Sequence, residues 1–356
     1  MSDFAARLLA WFDVHGRHDL PWQHPRTPYR VWLSEIMLQQ TQVQTVIGYF
    51  DRFLQRFPDL EVLAAADEDE VLALWSGLGY SSRARHLHRA ARECVALHGR
   101  RLPDSLEALA ALPGIGRSTA AAILAQAHGQ RQAILDGNVK RVLSRLVGER
   151  EWPGRPAVER RLWAEAEARL PPDGARMPDY TQALMDLGAT LCTPRRPRCT
   201  ECPFADACAA RRDGDVEAIP ARKPARATPT RHAILLVLRD ERGAVMLQRR
   251  EAKGVWQGLW SLPEAADDAS FEALRRRLGA GPGTPLPAFV HAFSHYRLAA
   301  KPHLHPPTDA TPALEASCRW TLPDEFDAIG LPRPIRTLLE SLPCTGLQRS
   351  LGTKHI

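Results

Sequence analysis

The chain has 356 residues, 47 Lys and Arg against 41 Asp and Glu, and 44% apolar residues. That length predicts two or three domains, each able to bury a core, and the composition excludes wholesale disorder. Unbroken apolar runs such as residues 234–238 fall far short of the ~20 that span a bilayer, and residues 1–12 are amphipathic rather than a secretory leader. The sequence therefore reads as soluble and cytoplasmic.

The formal charge of +6 permits a nucleic-acid partner without locating one, since 42 of the basic residues are Arg and 5 are Lys. Split at Lys223/Pro224, the halves hold 30 basic against 28 acidic residues and 17 against 13. Any phosphate-contacting surface must then be a local face.

In chain order, residues 1–208 predict an almost wholly helical region. Segments 31–50, 69–76, 83–97, 118–127, 139–147 and 180–188 carry apolar residues at three- and four-residue spacing. Phe57-Pro58, Leu102-Pro103, Leu112-Pro113-Gly114 and Trp152-Pro153-Gly154 break them. Residues 209–230, with Pro220, Pro224 and Pro229 and little apolar content, predict a linker.

Beyond it the pattern changes. Segments 233–238 and 244–248 around Asp240-Glu241-Arg242-Gly243 predict a β-hairpin. A helix over 271–278, strands within 288–300 and a closing helix over 334–342 complete a small α+β domain spanning 231–342, followed by a loose tail over 343–356.

Two carboxylates stand out. Glu35 shares a predicted helix face with Val31, Trp32, Leu38 and Gln39, and such surroundings raise a carboxyl pKa and suit a general acid. An ion-paired or cavity-edge Glu is the plainer alternative. Asp136, in Leu135-Asp136-Gly137-Asn138, is placed to cap a helix starting near Gly137, where N–H donors and the helix dipole are expected to lower its pKa and keep it ionised. A buried acid and an ionised Asp together can cleave an N-glycosidic bond through an oxocarbenium-like state.

Between them in the chain, Leu112-Pro113-Gly114-Ile115-Gly116 joins a helix over 106–111 to one starting near Arg117. Gly114 and Gly116 permit a tight turn, and the free N–H groups of the following helix can hold a DNA phosphate, with a bound monovalent cation, without reading sequence. A plain helical hairpin is the alternative.

Four of the seven cysteines, Cys192, Cys199, Cys202 and Cys208, follow a C-x6-C-x2-C-x5-C pattern. Clustered thiols in a reducing compartment point to metal, either a [4Fe–4S] cluster or a tetrahedral zinc. Cys94, Cys318 and Cys344 are isolated and read as packing residues. Arg195, Arg196 and Arg198, between the first two ligands, form either a phosphate-contacting knob or a solvated turn.

The hairpin, the Asp136 segment and the cysteine loop resemble the endonuclease III-like DNA glycosylases. Leu20-Pro21-Trp22, residues 32–43, Gly77-Leu78-Gly79-Tyr80, residues 135–141 and Phe293-Ser294-His295 resemble the MutY-type adenine DNA glycosylases over nearly the whole chain. The resemblance implies an all-α helix–hairpin–helix glycosylase domain with an iron–sulfur loop, then a C-terminal α+β Nudix-like domain. It implies a monomer that removes adenine mispaired with 8-oxoguanine or guanine in double-stranded DNA, in the cytoplasm at the nucleoid.

By the same resemblance, Glu35 protonates adenine N7 and Asp136 stabilises the oxocarbenium ion, with Trp22 and Gln182 lining the adenine pocket. Gln40, Thr41, Leu78 and Tyr80 hold the opposite strand. Gly114, Gly116, Ser118 and Lys140 belong to the DNA-binding surface, and the four cysteines hold a [4Fe–4S] cluster. Phe293, Ser294 and His295 read 8-oxoguanine. Read without the resemblance, Tyr80 is a packing residue and 293–295 part of a strand.

Bifunctional relatives place a nucleophilic Lys where this chain has Ser118, so water is the expected nucleophile. The C-terminal domain has Gly258-Leu259-Trp260-Ser261-Leu262-Pro263-Glu264 where a Nudix loop begins. The helix that follows offers only Glu272, too few carboxylates for a magnesium-dependent pyrophosphatase. A pyrimidine-damage glycosylase/lyase and a non-catalytic iron–sulfur DNA-binding protein are the competing readings.

Overall fold

The computed structural model describes residues 2–172, 174, 176–224, 227–252, 254–308 and 317–343. Two compact units emerge, one of residues 1–65 with 86–225 and one of residues 66–85 with 226–356. Cys344 and nearly all of the predicted tail lie outside the described residues.

The first unit is helical. Its elements are α1 (Ser2–His15), α2 (Pro28–Leu38), α3 (Val43–Arg56), α4 (Leu60–Ala65), most of α6 (Ser82–Leu97), α7 (Leu106–Ala111), α8 (Arg117–His128), α9 (Gly137–Val147), α10 (Pro156–Ala168), α11 (Met177–Asp186) and α12 (Ala209–Arg212). Local chemistry sets their ends. Thr27 accepts from Arg30 N with Pro28 opening α2, and Ser105 and Asp136 cap α7 and α9 through Ala108 N and Val139 N. Gly129 and Gly148 close α8 and α9 in the left-handed region, where a side chain would be strained.

α2 packs on α8, and α11 on both α1 and α8. One core of this unit gathers Leu8, Phe12, Leu135, Val139, Leu143, Leu162, Tyr180 and Leu184. Removing such side chains from water is the main stabilising term. The helix predicted over 31–50 is two helices: Gln40 adopts φ 58 and residues 39–42 turn the chain between α2 and α3. Apolar spacing persists across the break because both helices face the same core. Periodicity alone could not show it.

The predicted linker begins as packed structure. It includes α12, and Ala210 and Ile219 are buried.

In the second unit, β1 (Thr230–Leu238) runs parallel to β7 (Arg297–His305) and antiparallel to β4 (Glu264–Ala265). β5 (Thr284–Pro285) and β6 (Phe289–Ala292) also pair with β7, while β2 (Val245–Arg249) joins β3 (Trp260–Ser261) and β8 (Cys318–Thr321) in a second sheet. α13 (Asp268–Arg277) and α14 (Arg333–Glu340) cover the apolar faces. Alternate residues of β1 feed two cores: Leu235 and Val237 meet Ile335 and Leu339, whereas Ile234 and Leu236 meet Phe271 and Leu274.

The predicted hairpin is only half right. Its turn forms, with Ala244 N donating to Asp240 Oδ1 at 2.8 Å, but β1 and β2 continue into different sheets after a single bridge, Arg239 to Val245. β1 is buried on both faces over its last six residues and both its edges are taken by β4 and β7. A continuous apolar run of that kind marks a central strand rather than one arm of a surface hairpin.

α5 (Glu68–Trp75) belongs to this unit. Trp260 Nε1 donates to Asp69 at 3.1 Å, Arg249 pairs with Glu68 and Asp69, and Ser76 Oγ donates to Leu331 O at 3.0 Å. A Cβ on Gly330 would stand 2.7 Å from that of Leu72, so the chain approaches α5 at a point only glycine allows. Among the described residues, no helix is long and apolar enough to cross a membrane.

Candidate active site and cysteine cavity

Glu35 lies on α2, one turn from its end, between Ser34 and Ile36, both buried. The packing of α2 on α8 brings Gln126 against it, and Gln126 Nε2 donates to Glu35 Oε1 at 3.0 Å. Burial, reinforced by the negative charge of Asp136, pushes the Glu35 carboxyl up to about 8 against the opposing pull of Gln126. At neutral pH this group holds its proton. Gln126 was missed by sequence reasoning, although a lone amide ending the buried run Ala120-Ala121-Ala122-Ile123-Leu124-Ala125 is a readable sign of a polar partner.

Asp136 caps α9, its Oδ1 accepting from Val139 N at 2.8 Å. Here one expectation is corrected. Burial outweighs the Val139 and Asn138 N–H groups and the charges of Arg141 and Lys140, so its pKa moves above the usual carboxylate range, not below it. Glu35 and Asp136 are thus two carboxyls close enough to disfavour double ionisation.

Ser118, in the first turn of α8, accepts from Leu135 N at 2.9 Å through its hydroxyl. That bond ties the hairpin to the residue before Asp136, so the serine has a positioning task where bifunctional relatives carry an amine. In the hairpin itself Gly114 stands at φ 79, and a Cβ there would lie 2.8 Å from His86 Cβ. Gly116 is exposed and precedes α8 as its N-cap.

α9 also grips the cysteine loop. Arg141 donates from Nε to Cys192 O and from Nη2 to Asn138 Oδ1 and Gly188 O, each at 2.8 Å. Arg145, only 2% exposed, donates to Ile219 O, Thr193 O, Pro194 O and both O and Sγ of Cys192. Cys208 Sγ in turn contacts Arg145 O at 3.4 Å. Neither arginine was singled out in the sequence, because a buried Arg and a solvated one look alike there.

The four cysteines line one cavity of about 30 Å³, with Arg145 and Arg211 on its wall. Among the described residues, no group of three or more His, Cys, Asp or Glu converges closely enough to hold a single ion.

Other expected residues sit as follows. Trp22 is buried edge-on to Phe50, with ring centroids 5.4 Å apart, and Gln182 is buried with Nε2 on Asp186 Oδ1 at 2.7 Å. Asp186 also receives Arg17, so Gln182 is braced by an ion pair. Gln40 is exposed at the turn after α2, and Thr41 follows it with Oγ1 toward Gln39 O. Lys140 is paired with Glu159 at 2.7 Å. It lines a cleft of about 580 Å³ with Arg195, Arg222, Lys223 and Trp152.

In the second unit, Leu78 is buried whereas Tyr80 is 50% exposed at φ 49. Arg83, also unforeseen, braces this turn by donating to Leu78 O and Gly79 O, and its guanidinium lies over the Trp75 and Tyr80 rings. Phe293, Ser294 and His295 form the turn between β6 and β7, closed by Phe293 N on Tyr296 O at 2.8 Å. Ser294 and His295 are exposed, with Ser294 Oγ 3.3 Å from His295 Nδ1.

Residues 33–168 match the HhH-GPD superfamily of base excision DNA repair proteins, and residues 234–341 match the NUDIX domain. An adenine DNA glycosylase of Buchnera aphidicola is 33% identical over 346 residues, 95% of this chain and 97% of that protein. The human adenine DNA glycosylase is 35% identical over 393 aligned positions, 92% of this chain and 71% of that protein. A thermostable thymine-DNA glycosylase of known structure aligns with a TM-score of 0.53 and 30% identity, covering 59% of this chain and 96% of its own. Two relatives matched over 95% and 92% of this chain, and a repair module that carries Glu35 and Asp136, place the chain in the adenine DNA glycosylase family.

Proposed function

We propose that the protein hydrolyses the N-glycosidic bond of adenine mispaired with 8-oxoguanine or guanine in duplex DNA. The observation that carries this reading is the pair formed by Glu35 and Asp136: a carboxyl raised to about 8 and, within reach of its charge, a second carboxyl at a helix N-terminus. Glu35 gives its proton to N7 of the extruded adenine. The C1′–N9 bond then breaks with its electron pair leaving on the purine, and carboxylate Asp136 faces the sugar cation. Water adds at C1′, and its proton returns to the Glu35 carboxylate, which restores the starting state.

Ser118 supplies no amine for a Schiff base, and Lys140 is engaged by Glu159, so strand cleavage is not part of the reaction. Trp22 and Gln182 would line the base pocket. Gln40, Thr41, Leu78 and Tyr80 would hold the strand opposite, offsetting part of the few kcal/mol that base extrusion costs. The hairpin of Gly114 and Gly116, with a monovalent cation, and the cleft of Arg195 and Lys223 are suited to backbone phosphates.

The four cysteines suit a [4Fe–4S] cluster rather than zinc. Zinc ribbons usually present two separated C-x2-C knuckles, whereas here only Cys199 and Cys202 form one, and all four cysteines line a single cavity. Such a group would supply a rigid cross-link among Cys192, Cys199, Cys202 and Cys208, and through Arg141 and Arg145 hold α9 in place.

The turn of Phe293, Ser294 and His295, the last two exposed, would read 8-oxoguanine. A single-turnover assay with adenine opposite 8-oxoguanine, G, C or T, followed by alkali, tests the reading. Alkali-dependent breaks at adenine opposite 8-oxoguanine and G are expected, and their absence overturns it.

A further inference from the structure

The buried stretch of α8 ends in a polar side chain that the glycosidic step leaves unused. Residues 120–125 are apolar and buried, and Gln126, only 3% exposed, closes the run. An apolar residue there would continue the run without a desolvation cost, whereas a buried amide needs a partner. Among the described residues its side chain has one, Glu35, whose Oε1 accepts from Gln126 Nε2 at 3.0 Å. The same helix serves the other carboxyl. Ser118, in its first turn, accepts from Leu135 N at 2.9 Å, next to Asp136.

The bond between Gln126 and Glu35 is chemically asymmetric. An amide N–H donates and cannot accept, so it selects a carboxyl oxygen that offers a lone pair. In a protonated carboxyl the better acceptor is the carbonyl oxygen. With Oε1 engaged by Gln126, the proton belongs on Oε2, and among the described residues no hydrogen bond occupies Oε2. Gln126 is buried while Glu35 keeps part of its surface open, so Oε2 is the oxygen left for a base. When the Oε2–H bond breaks, its electron pair stays on the carboxyl and its proton goes to adenine N7. Gln126 gives up nothing in that step. Its bond then goes to an anion, and charge-assisted bonds are the stronger kind. A contact that strengthens as the proton leaves favours the transition state over the resting enzyme.

We propose that Gln126 is a positioning residue for proton delivery: its amide pins Glu35 through Oε1, keeps the acidic proton on Oε2 and supports the carboxylate that forms. The inference rests on the reading of Glu35 as the general acid. Burial and the Asp136 charge raise the Glu35 carboxyl, and Gln126 opposes both. The other elements packed on α2 bring no buried charge to it. The helical turn Pro21–Gln23 has no charged residue, and Arg117 and His128 on α8 are exposed. On α3, Asp51, Arg52 and Arg56 are exposed and Tyr49 lies under Arg52. On α2 itself, Arg30 donates to Pro21 O and Tyr29 to Phe57 O. Removing the amide therefore makes Glu35 a weaker acid and moves its titration up.

Gln126→Met, close in length and without a donor, tests this in single-turnover excision of adenine across pH. The rate at neutral pH should fall about three- to tenfold, the difference between a hydrogen bond to a charged group and one to a neutral group. The alkaline midpoint, about 8 in the parent, should move up, so the deficit shrinks as pH rises. Duplex binding should not change. A side chain that only fills space would instead lower the rate by one factor at every pH. In infrared difference spectra, the protonated-carboxyl band lost in Glu35→Gln should move to higher wavenumber in Gln126→Met, as a carbonyl freed from a hydrogen bond does. Gln126→Asn, one methylene too short to reach Glu35, should reproduce both signs and serves where Met is not tolerated. An alkaline midpoint that stays or moves down, or an unshifted band, overturns the proposal.

Glu35→Gln separates the two possible failures. If it still excises adenine, the general-acid reading falls and this inference with it. If it is inactive while the Gln126→Met midpoint stays at the parental pH, the acid stands and only Gln126 loses its task.

Discussion

Glu35 and Asp136 are held by groups the fold supplies from several directions: Gln126 on one carboxyl, Val139 N on the other, and Ser118 on the backbone just before Asp136. Ser294 and His295 sit on an exposed turn, and the side-chain hydrogen bond they show is to each other. The contrast follows from what each region is asked to do. Proton delivery to one atom tolerates little displacement, and its pKa must be set by burial before substrate arrives. Recognition of a base edge can form its hydrogen bonds on contact, and an exposed turn leaves them available.

If that contrast is sound, Glu35→Gln gives the largest effect. It keeps the shape and the Gln126 neighbour but removes the proton, so excision should fall about 10²–10⁴-fold in single-turnover kinetics while duplex binding persists. A variant that still excises adenine at the parental rate would remove Glu35 from its assigned role.

The pH profile sharpens the same side of the comparison. Glu35 must be protonated, so excision should decline about tenfold per pH unit above about 8. Asp136→Asn should move the Glu35 titration, followed by carboxyl NMR, below that value, because the Asp136 charge is one of the causes that raise it. The stability consequence has a definite sign. A carboxyl raised from 4.5 contributes stability that is fully present below about 4.5 and is lost as pH rises through about 8, and thermal unfolding across that window checks it.

Much of this was legible in the sequence because the informative residues are local signals. The caps at Ser105 and Asp136, the hairpin glycines and the cysteine spacing each specify their own few residues of backbone. Partners that exist only after folding were not legible. Gln126 meets Glu35 across 91 positions, and Arg145 reaches Ile219 across 74, so neither contact has a sequence spacing to betray it. The same limit hid the attachment of α5 to the second unit, which depends on Asp69 meeting Trp260. The expected pKa of Asp136 erred for a different reason: N–H donors can be read from a capping position, but depth of burial cannot.

A smaller effect separates scaffold from chemistry within the first unit. Gly188 approaches the first turn of α9 so closely that a Cβ would lie 2.7 Å from Asn138 Cβ, whereas a Cβ on Gly137 meets nothing within 4 Å. Gly188→Ala should therefore destabilise the protein by about 1–3 kcal/mol through overpacking and lower excision by disturbing Asp136. Gly137→Ala, in the same turn of helix, should leave the melting temperature level or slightly raised. Equal melting temperatures for the two variants would show that the approach of Gly188 to α9 is not a constraint.

The smallest effect belongs to the exposed turn. Ser294→Ala removes one neutral hydroxyl from a position with no buried partner to orphan, so neither folding nor chemistry should change. What it can change is the difference between 8-oxoguanine and guanine as partner bases. A neutral hydrogen bond contributes roughly 0.5–1.5 kcal/mol, which corresponds to about two- to tenfold in preference. Excision opposite G should stay at the parental rate while excision opposite 8-oxoguanine falls by that factor under subsaturating protein. An equal fall opposite both bases would mean that Ser294 supports the fold, and that the two regions are less separable than their exposure implies.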